Sequence, residues 1–241
     1  MSEPIRTAMF LSAGLGTRMR PLSLKTPKPL IPVAGKPLID YALDAAAEAG
    51  IERAIVNVHY LADQVEAHLA SRKDMEIVIS DERAELLETG GAIVKARKLL
   101  GDGPVYIVNT DAFWVEAASN PFLDLASAYD GERMDDLLLL ADVKRSLGYH
   151  GKGDFDRAED GRLIRRGDNP SAPYAFAGVR ITEPSLYDGE AEQPFSANLI
   201  WSRSLEKGRL YGQPLDAHWM HVGDPETLKE VEGWMADKGI V

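Results

Sequence analysis

The chain has 241 residues, 45% of them hydrophobic, enough for the core of one large α/β domain. Its 38 acidic against 27 basic side chains give a formal net charge of −11, which argues against a nucleic-acid or membrane-surface binder. Zero cysteine excludes disulfides and cysteine-based zinc or redox chemistry, and with no leader pattern or long apolar run the cytoplasm is the expected compartment.

Residues 7–12 are a short apolar run that reads as a buried first strand, ending in the turn Gly14-Leu15-Gly16-Thr17-Arg18. A proline-rich segment follows, with Pro21, Pro27, Pro29, Pro32 and Pro37, and is expected to be a fixed, extended loop. Residues 4–39 hold no acidic side chain yet carry Arg6, Arg18, Arg20, Lys25, Lys28 and Lys36. On an acidic protein such an island suits a compact polyanion, and a glycine turn lets backbone N–H groups cradle a phosphate chain.

Pro37 suits the first turn of a helix that closes at Gly50, and a strand follows over 51–58. A helix over 62–70, a strand over 75–80 and a helix over 90–100, capped by Thr89 and closed by Gly101, come next. The strand at 105–109 ends in Thr110-Asp111; a helix near 122–129 and a strand at 137–141 complete the alternation. Strands alternating with crossover helices predict an α/β fold with a mostly parallel sheet and helices on both faces.

Beyond residue 145 the pattern loosens. Residues 148–153 read as a flexible loop, 154–166 as a hairpin turning at Asp160-Gly161, 174–181 as a strand and 195–207 as a helix. Asp224-Pro225-Glu226 opens a final helix through Leu228, Val231 and Trp234. With no repeat, low-complexity stretch or linker, one domain is expected, residues 1–145 binding nucleotide and 146–241 completing the pocket.

Ligands in such sheets sit beyond the carboxyl ends of the strands, so the glycine turn and Asp111 should meet at one crevice. Gly14-x-Gly16-x-x-Met19 fails the dinucleotide fingerprint, and no Gly-Lys-Ser/Thr follows to make a phosphate loop of the Walker type. The pattern Ala13-Gly14-x-Gly16-Thr17-Arg18-x-x-Pro21, with Pro27-Lys28-Pro29-Leu30 after it, resembles the sugar-1-phosphate nucleotidyltransferases. That resemblance implies a Rossmann-like fold of the nucleotide-diphospho-sugar transferase type. It also implies attack of a sugar 1-phosphate on the α-phosphorus of a nucleoside triphosphate, with loss of pyrophosphate.

A phosphate monoester, with a second pKa of about 6, is already ionised, so no catalytic base is required. What is needed is positioning and cancellation of charge. Arg18 offers a fork for the departing β- and γ-phosphates, and Lys28, pinned between prolines, a point charge nearer the α-phosphate. By resemblance Ser12, Ala13, Gly14, Gly16 and Thr17 cradle the nucleotide, with Glu88, Thr89, Gly90 and Asn109 against its base and sugar.

Asp111, in Val108-Asn109-Thr110-Asp111, matches the family's metal-binding aspartate, with Thr110 where the family has glycine. The family's second ligand position, an aspartate, is occupied here by His221, while Asp224 suits a helix cap. Magnesium is the expected cofactor, with manganese tolerance following from an imidazole ligand.

The segment Gly148-Tyr149-His150-Gly151-Lys152-Gly153-Asp154-Phe155 resembles the short cell-wall-recycling branch, the N-acetylmuramate 1-phosphate uridylyltransferases. The branch implies UTP and N-acetylmuramate 1-phosphate as substrates, Gly153 and Asp154 at the sugar, and a cation for its lactyl carboxylate. Lys152, Arg165 and Arg166 are open candidates for that cation. Mannose 1-phosphate with GTP, glucose 1-phosphate with dTTP or UTP, and a non-catalytic nucleotide-sugar sensor are the alternatives. A monomer or small homo-oligomer is expected.

Overall fold

The computed structural model describes residues 4–240. Strand β1 (Thr7–Leu11) leads into the glycine turn, a β2–β3 ribbon (Pro32–Val33, Lys36–Pro37) and helix α1 (Leu38–Glu48). Then come β4 (Arg53–Val58), α2 (Ala62–Leu69), β5 (Glu76–Asp81), α3 (Glu88–Leu100) and β6 (Val105–Asn109). They are followed by β7 (Ala112–Val115), α4 (Pro121–Ala128), β8 (Asp136–Asp142) and β9 (Ser146–Leu147). The hairpin β10–β11 (Phe155–Arg157, Leu163–Arg165) and the long β12 (Tyr174–Thr182) precede α5 (Asn198–Glu206). The chain ends with β13 (Leu210–Pro214), β14 (His218–His221) and α6 (Pro225–Asp237).

The main sheet runs β11-β10-β12-β6-β1-β4-β5, with β8 beside β12 and β13 beside β8. Strands β6, β1, β4 and β5 are parallel, whereas β12 lies antiparallel between β6 and β8. The two halves of the sequence therefore share one sheet. Side chains of β1 alternate across it: Ala8 and Phe10 join the core under α1, α2 and α4, and Met9 joins the core under α3. Burying one such side chain contributes about 1.5–3 kcal/mol, so this pleat fixes the register of the strand that carries the glycine turn.

Several expectations are corrected. The proline-rich segment is not extended: it winds through short 3₁₀ turns at Thr17–Met19, Leu22–Leu24 and Lys28–Leu30, since proline fits the first positions of a turn although it bars a long helix. Thr89 does not cap α3. The helix starts one residue earlier, and the Thr89 hydroxyl accepts the Ala197 N–H at 2.9 Å. The expected helix over 195–207 is shorter, beginning only at Asn198.

A second small sheet, β7-β14-β9, was not anticipated; nor was β13. It sets His221 opposite Ala112, next to Asp111. Among the described residues no helix is long and apolar enough to cross a membrane.

Candidate active site

A cavity of about 470 Å³ opens at the carboxyl ends of β1 and β6. Its wall includes Ser12, Ala13, Gly14, Gly16, Thr17 and Arg18 from the turn, Lys28 from the proline segment, Glu88 and Thr89 from α3, and Asn109 and Asp111 after β6. The residues that the sequence points to thus meet in one place, with Gly90, Gly153, Asp154 and His221 as exceptions.

The turn is held from behind by a buried polar chain. The Ser12 N–H donates to Asn57 Oδ1 at 2.6 Å, and the Ser12 hydroxyl donates to the Asn57 carbonyl. Asn57 Nδ2 in turn donates to Glu82 Oε1 at 2.8 Å, and the Leu87 N–H donates to Glu82 Oε2 at 3.2 Å. Glu82 is fully buried, and burial pushes its carboxyl above the ordinary range despite these donors. Sequence reasoning missed Asn57 and Glu82; the available signal was an asparagine inside the apolar run of β4 and a glutamate just past β5.

Gly16 adopts a left-handed backbone at φ 59°, and a side chain there would press on the Cβ atoms of Lys28 and Ser23 at 3.2 Å. The Ser23 hydroxyl donates to the Gly16 carbonyl at 2.6 Å and locks that turn.

Lys28 Nζ lies 3.1 Å from Asp111 Oδ2, the two side chains being 14% and 32% exposed. Burial by itself would raise the Asp111 carboxyl, but the charges of Lys28, His221 and Arg18 hold it below the usual carboxylate range. The hydroxyl of Thr110, at the family's glycine position, donates to the Leu11 carbonyl at 2.9 Å and ties the end of β6 to that of β1.

His221 does not line the cavity. Its Nδ1 lies 3.3 Å from the Gly148 carbonyl oxygen, which orients the ring. The Val222 N–H donates to the Asp111 carbonyl at 3.1 Å, binding the two metal-position residues through backbone. Asp224 is a helix cap: its carboxylate accepts the N–H groups of Glu226 and Thr227 at 3.1 and 2.9 Å. Those backbone bonds, Thr227 foremost, lower its pKa. Among the described residues no cluster of three or more His, Asp or Glu side chains is placed to hold a metal alone.

Gly90 is absent from the cavity wall. An added Cβ there would lie 2.3 Å from the Phe195 ring, and one at Gly91 would lie 2.2 Å from the Gln193 carbonyl oxygen. The glycine pair admits the chain just before α5 rather than a ligand.

A second cavity of about 290 Å³ adjoins the first, sharing Leu11, Thr89, Asn109 and Ser196 with it. Asp154, Arg165, Phe176, Arg180, Asn198 and Trp201 contribute to its wall. Asp154 Oδ2 accepts the Phe176 N–H at 2.9 Å. Gly153 stands outside: a side chain there would lie 2.1 Å from the Ala172 carbonyl oxygen, so glycine lets two segments of chain pass. Arg180 and Asp136 form a buried ion pair beneath this chamber, with the Tyr187 hydroxyl 2.7 Å from Arg180 Nη2.

Two joined chambers, one with Arg18 and Lys28 beside the Asp111 carboxylate, are what a transfer between two phosphate esters requires, and the fold is of the nucleotidyltransferase type. Solved structures share it: a putative glucose-1-phosphate thymidylyltransferase from Bacillus anthracis superposes with a TM-score of 0.78 at 15% identity, covering 96% of this chain and 95% of that one. HddC from Yersinia pseudotuberculosis, complexed with GMP-PN, gives a TM-score of 0.73 at 23% identity, covering 95% and 100%.

Residues 7–237 match the nucleotidyl transferase family, and the chain belongs to it. It is 45% identical over 241 residues to an N-acetylmuramate alpha-1-phosphate uridylyltransferase of Caulobacter vibrioides, covering 98% of this chain and 100% of that relative. A second protein of that name, from Neisseria meningitidis, is 34% identical over 228 residues, covering 93% and 96%. The chain is an enzyme that transfers a nucleotidyl group from a nucleoside triphosphate to a sugar 1-phosphate.

Proposed function

We propose that this enzyme joins UTP and N-acetylmuramate 1-phosphate into UDP-N-acetylmuramate, releasing pyrophosphate. Likeness to the Caulobacter relative over nearly its full length carries the choice of substrates. The two chambers meeting at Asn109 and Thr89 support it, one sized for a triphosphate and the other for a sugar. In this reading residues 1–145 hold the nucleotide and 146–241 supply most of the sugar chamber.

The glycine turn presents backbone N–H groups to the triphosphate, and Arg18 draws the β- and γ-phosphates toward the exit. Lys28 neutralises charge that builds on the α-phosphoryl oxygens as the sugar phosphate attacks. Asp154 accepts hydrogen bonds from sugar hydroxyl or amide groups. No group need remove a proton from the nucleophile, and every contribution is placement and charge.

Magnesium fits the donor set: one partly exposed carboxylate, Asp111, leaves most of the octahedron to phosphate oxygens and water. Asp111 would hold the ion, with His221 supporting it from β14. When bound, the ion would supply Lewis-acid charge to the phosphate oxygens.

Pyrophosphate release measured with UTP, dTTP and GTP against N-acetylmuramate, N-acetylglucosamine, glucose and mannose 1-phosphates tests the reading. The UTP and N-acetylmuramate 1-phosphate pair is expected to give the highest kcat/KM. Absence of turnover with that pair rejects it.

A further inference from the structure

We propose that Arg165 reads the lactyl carboxylate of the sugar substrate and so selects N-acetylmuramate 1-phosphate over the same sugar without its lactyl ether. The inference rests on the proposed substrate and adds to it the residue that recognises its distinguishing group.

Four basic side chains lie in or near the sugar half of the site, and three are committed elsewhere. Lys152 faces a different cavity, with Asp142, Lys144 and Ser171. Arg166 donates to the carbonyls of Gly153, Gly167 and Asn169 and so braces its own loop. Arg180 is buried against Asp136 and Tyr187.

Arg165 differs on each count. It lines the sugar chamber, and no carboxylate lies within ion-pair distance of it among the described residues. Its Nη2 reaches only neutral acceptors, Asn198 Oδ1 at 3.2 Å and Ser202 Oγ at 3.4 Å. The guanidinium carbon sits 5.6 Å from the Phe155 ring centroid, which steadies the fork without neutralising it. An arginine held so, with only the charge of Asp154 acting on it from beyond ion-pair distance, is prepared for a planar anion.

Its place in the chamber tells which anion. Phosphoryl transfer must occur at the seam shared by both cavities, at Leu11, Thr89, Asn109 and Ser196. Arg165 is not part of that seam, nor of the triphosphate cavity where Arg18 and Lys28 stand. It therefore meets a group on the sugar away from the reacting phosphate. Asp154 lines the same chamber and its charge acts on Arg165, so the two together offer the sugar an acceptor for its hydroxyl or amide groups beside a donor fork for its acid group.

The test compares wild type with Arg165→Met at saturating UTP on N-acetylmuramate 1-phosphate, its lactyl methyl ester and N-acetylglucosamine 1-phosphate. Wild type is expected to favour the free acid over both uncharged sugars by about 10–100-fold in kcat/KM, the effect of one charge-assisted, two-pronged hydrogen bond. In Arg165→Met that preference collapses toward one, through a higher KM for the acid, and Arg165→Lys recovers part of it. If the methionine variant does not fold, Arg165→Gln supplies the same comparison.

A preference undiminished in the folded variant overturns the assignment. So does an equal loss on all three sugars, which marks a contact to their common phosphate. Failure of wild type on N-acetylmuramate 1-phosphate rejects the substrate reading itself, whereas wild-type turnover with no change on mutation rejects Arg165 alone.

Discussion

Lys28 Nζ stands 3.1 Å from Asp111 Oδ2, joining residues 83 positions apart across the mouth of the triphosphate cavity. Prolines on either side fix the lysine, and the end of β6 fixes the aspartate. Each ion keeps the other ready: the lysine holds the carboxyl ionised for a cation, and the carboxylate aims the ammonium at the place a phosphate will take. When the nucleotide arrives with its divalent ion, both exchange this partner for a stronger one.

Removing either side of the pair should therefore strike turnover more than stability. Lys28→Met is expected to lower kcat about 10²–10³-fold, the scale of losing one preorganised charge at a developing oxyanion. Asp111→Asn should abolish divalent-dependent turnover. Because the pair is partly exposed, its loss changes folding by only about 0–1 kcal/mol. Pyrophosphate release and thermal melts measure the two effects; a large drop in melting temperature with little change in kcat would sink this account.

The acid limb of the pH profile should belong to the substrate. Lys28, His221 and Arg18 depress the folded-state pKa of Asp111, so the carboxylate stays charged as pH falls and protonates only below its unfolded value of about 3.9. The sugar phosphate loses its second charge at about pH 6 and becomes a poorer nucleophile below it. We expect kcat/KM for the sugar phosphate to fall about tenfold per pH unit below that point. A fluorinated sugar 1-phosphate, with a more acidic phosphate, should move the limb down; an unmoved limb would assign it to the protein.

Asp224 and His221 should separate cleanly. Asp224 accepts two N–H groups at the start of α6, so Asp224→Ala is expected to cost about 0.5–2 kcal/mol of stability without altering the divalent-ion requirement. His221→Ala should do the reverse, raising the magnesium concentration for half-maximal rate, because it removes the imidazole that β14 sets opposite Ala112, next to Asp111, at the second ligand position. Titrating magnesium and manganese for both variants, alongside melts, decides the matter. A changed ion requirement in Asp224→Ala would move the ligand role to that residue.

Two glycines should fail in opposite ways. Gly14 lines the triphosphate cavity and has nothing within 4 Å of an added Cβ, so Gly14→Ala should leave stability within about 0.5 kcal/mol. It should raise the KM for UTP roughly tenfold, as expected for one backbone–phosphate hydrogen bond lost. Gly91→Ala meets a backbone oxygen at 2.2 Å, which cannot swing aside, and is expected to cost about 1–3 kcal/mol. Urea unfolding with UTP kinetics checks both; equal destabilisation would contradict the assignment.

The parallel part of the sheet is legible because β1, β4 and β6 carry mostly apolar runs, broken within β4 only by Asn57. The chemistry was legible because glycine, arginine and proline-flanked lysine leave few other readings at that spacing. Strands β7 and β14 escaped notice: Ala112–Val115 and His218–His221 are four residues each, too short for a period, and their pairing is set by tertiary contact. Gly90 and Gly153 read as ligand contacts because sequence cannot tell a glycine that admits a substrate from one that admits another part of the chain. Sequence does not tell Arg165 from Lys152 and Arg166, because the choice depends on which cavity each side chain faces and which acceptors it meets.

The buried chain from Glu82 through Asn57 to Ser12 makes the glycine turn depend on residues outside its own motif. Asn57 is the only link in that chain able to accept from the Ser12 N–H and donate to Glu82 at once. Asn57→Leu keeps the volume but leaves a buried carboxylate and a buried N–H without these partners, at a cost of about 1–3 kcal/mol for each group so stranded. Released from behind, the turn should also lose its aim, so the KM for UTP rises in the folded variant while the KM for the sugar phosphate stays near wild type. Asn57→Asp separates the two effects: it still accepts from Ser12 but sets a second carboxyl against Glu82, so its defect should ease as pH falls and one of the pair protonates. Loss of stability without any change in UTP binding would show that this chain serves folding alone.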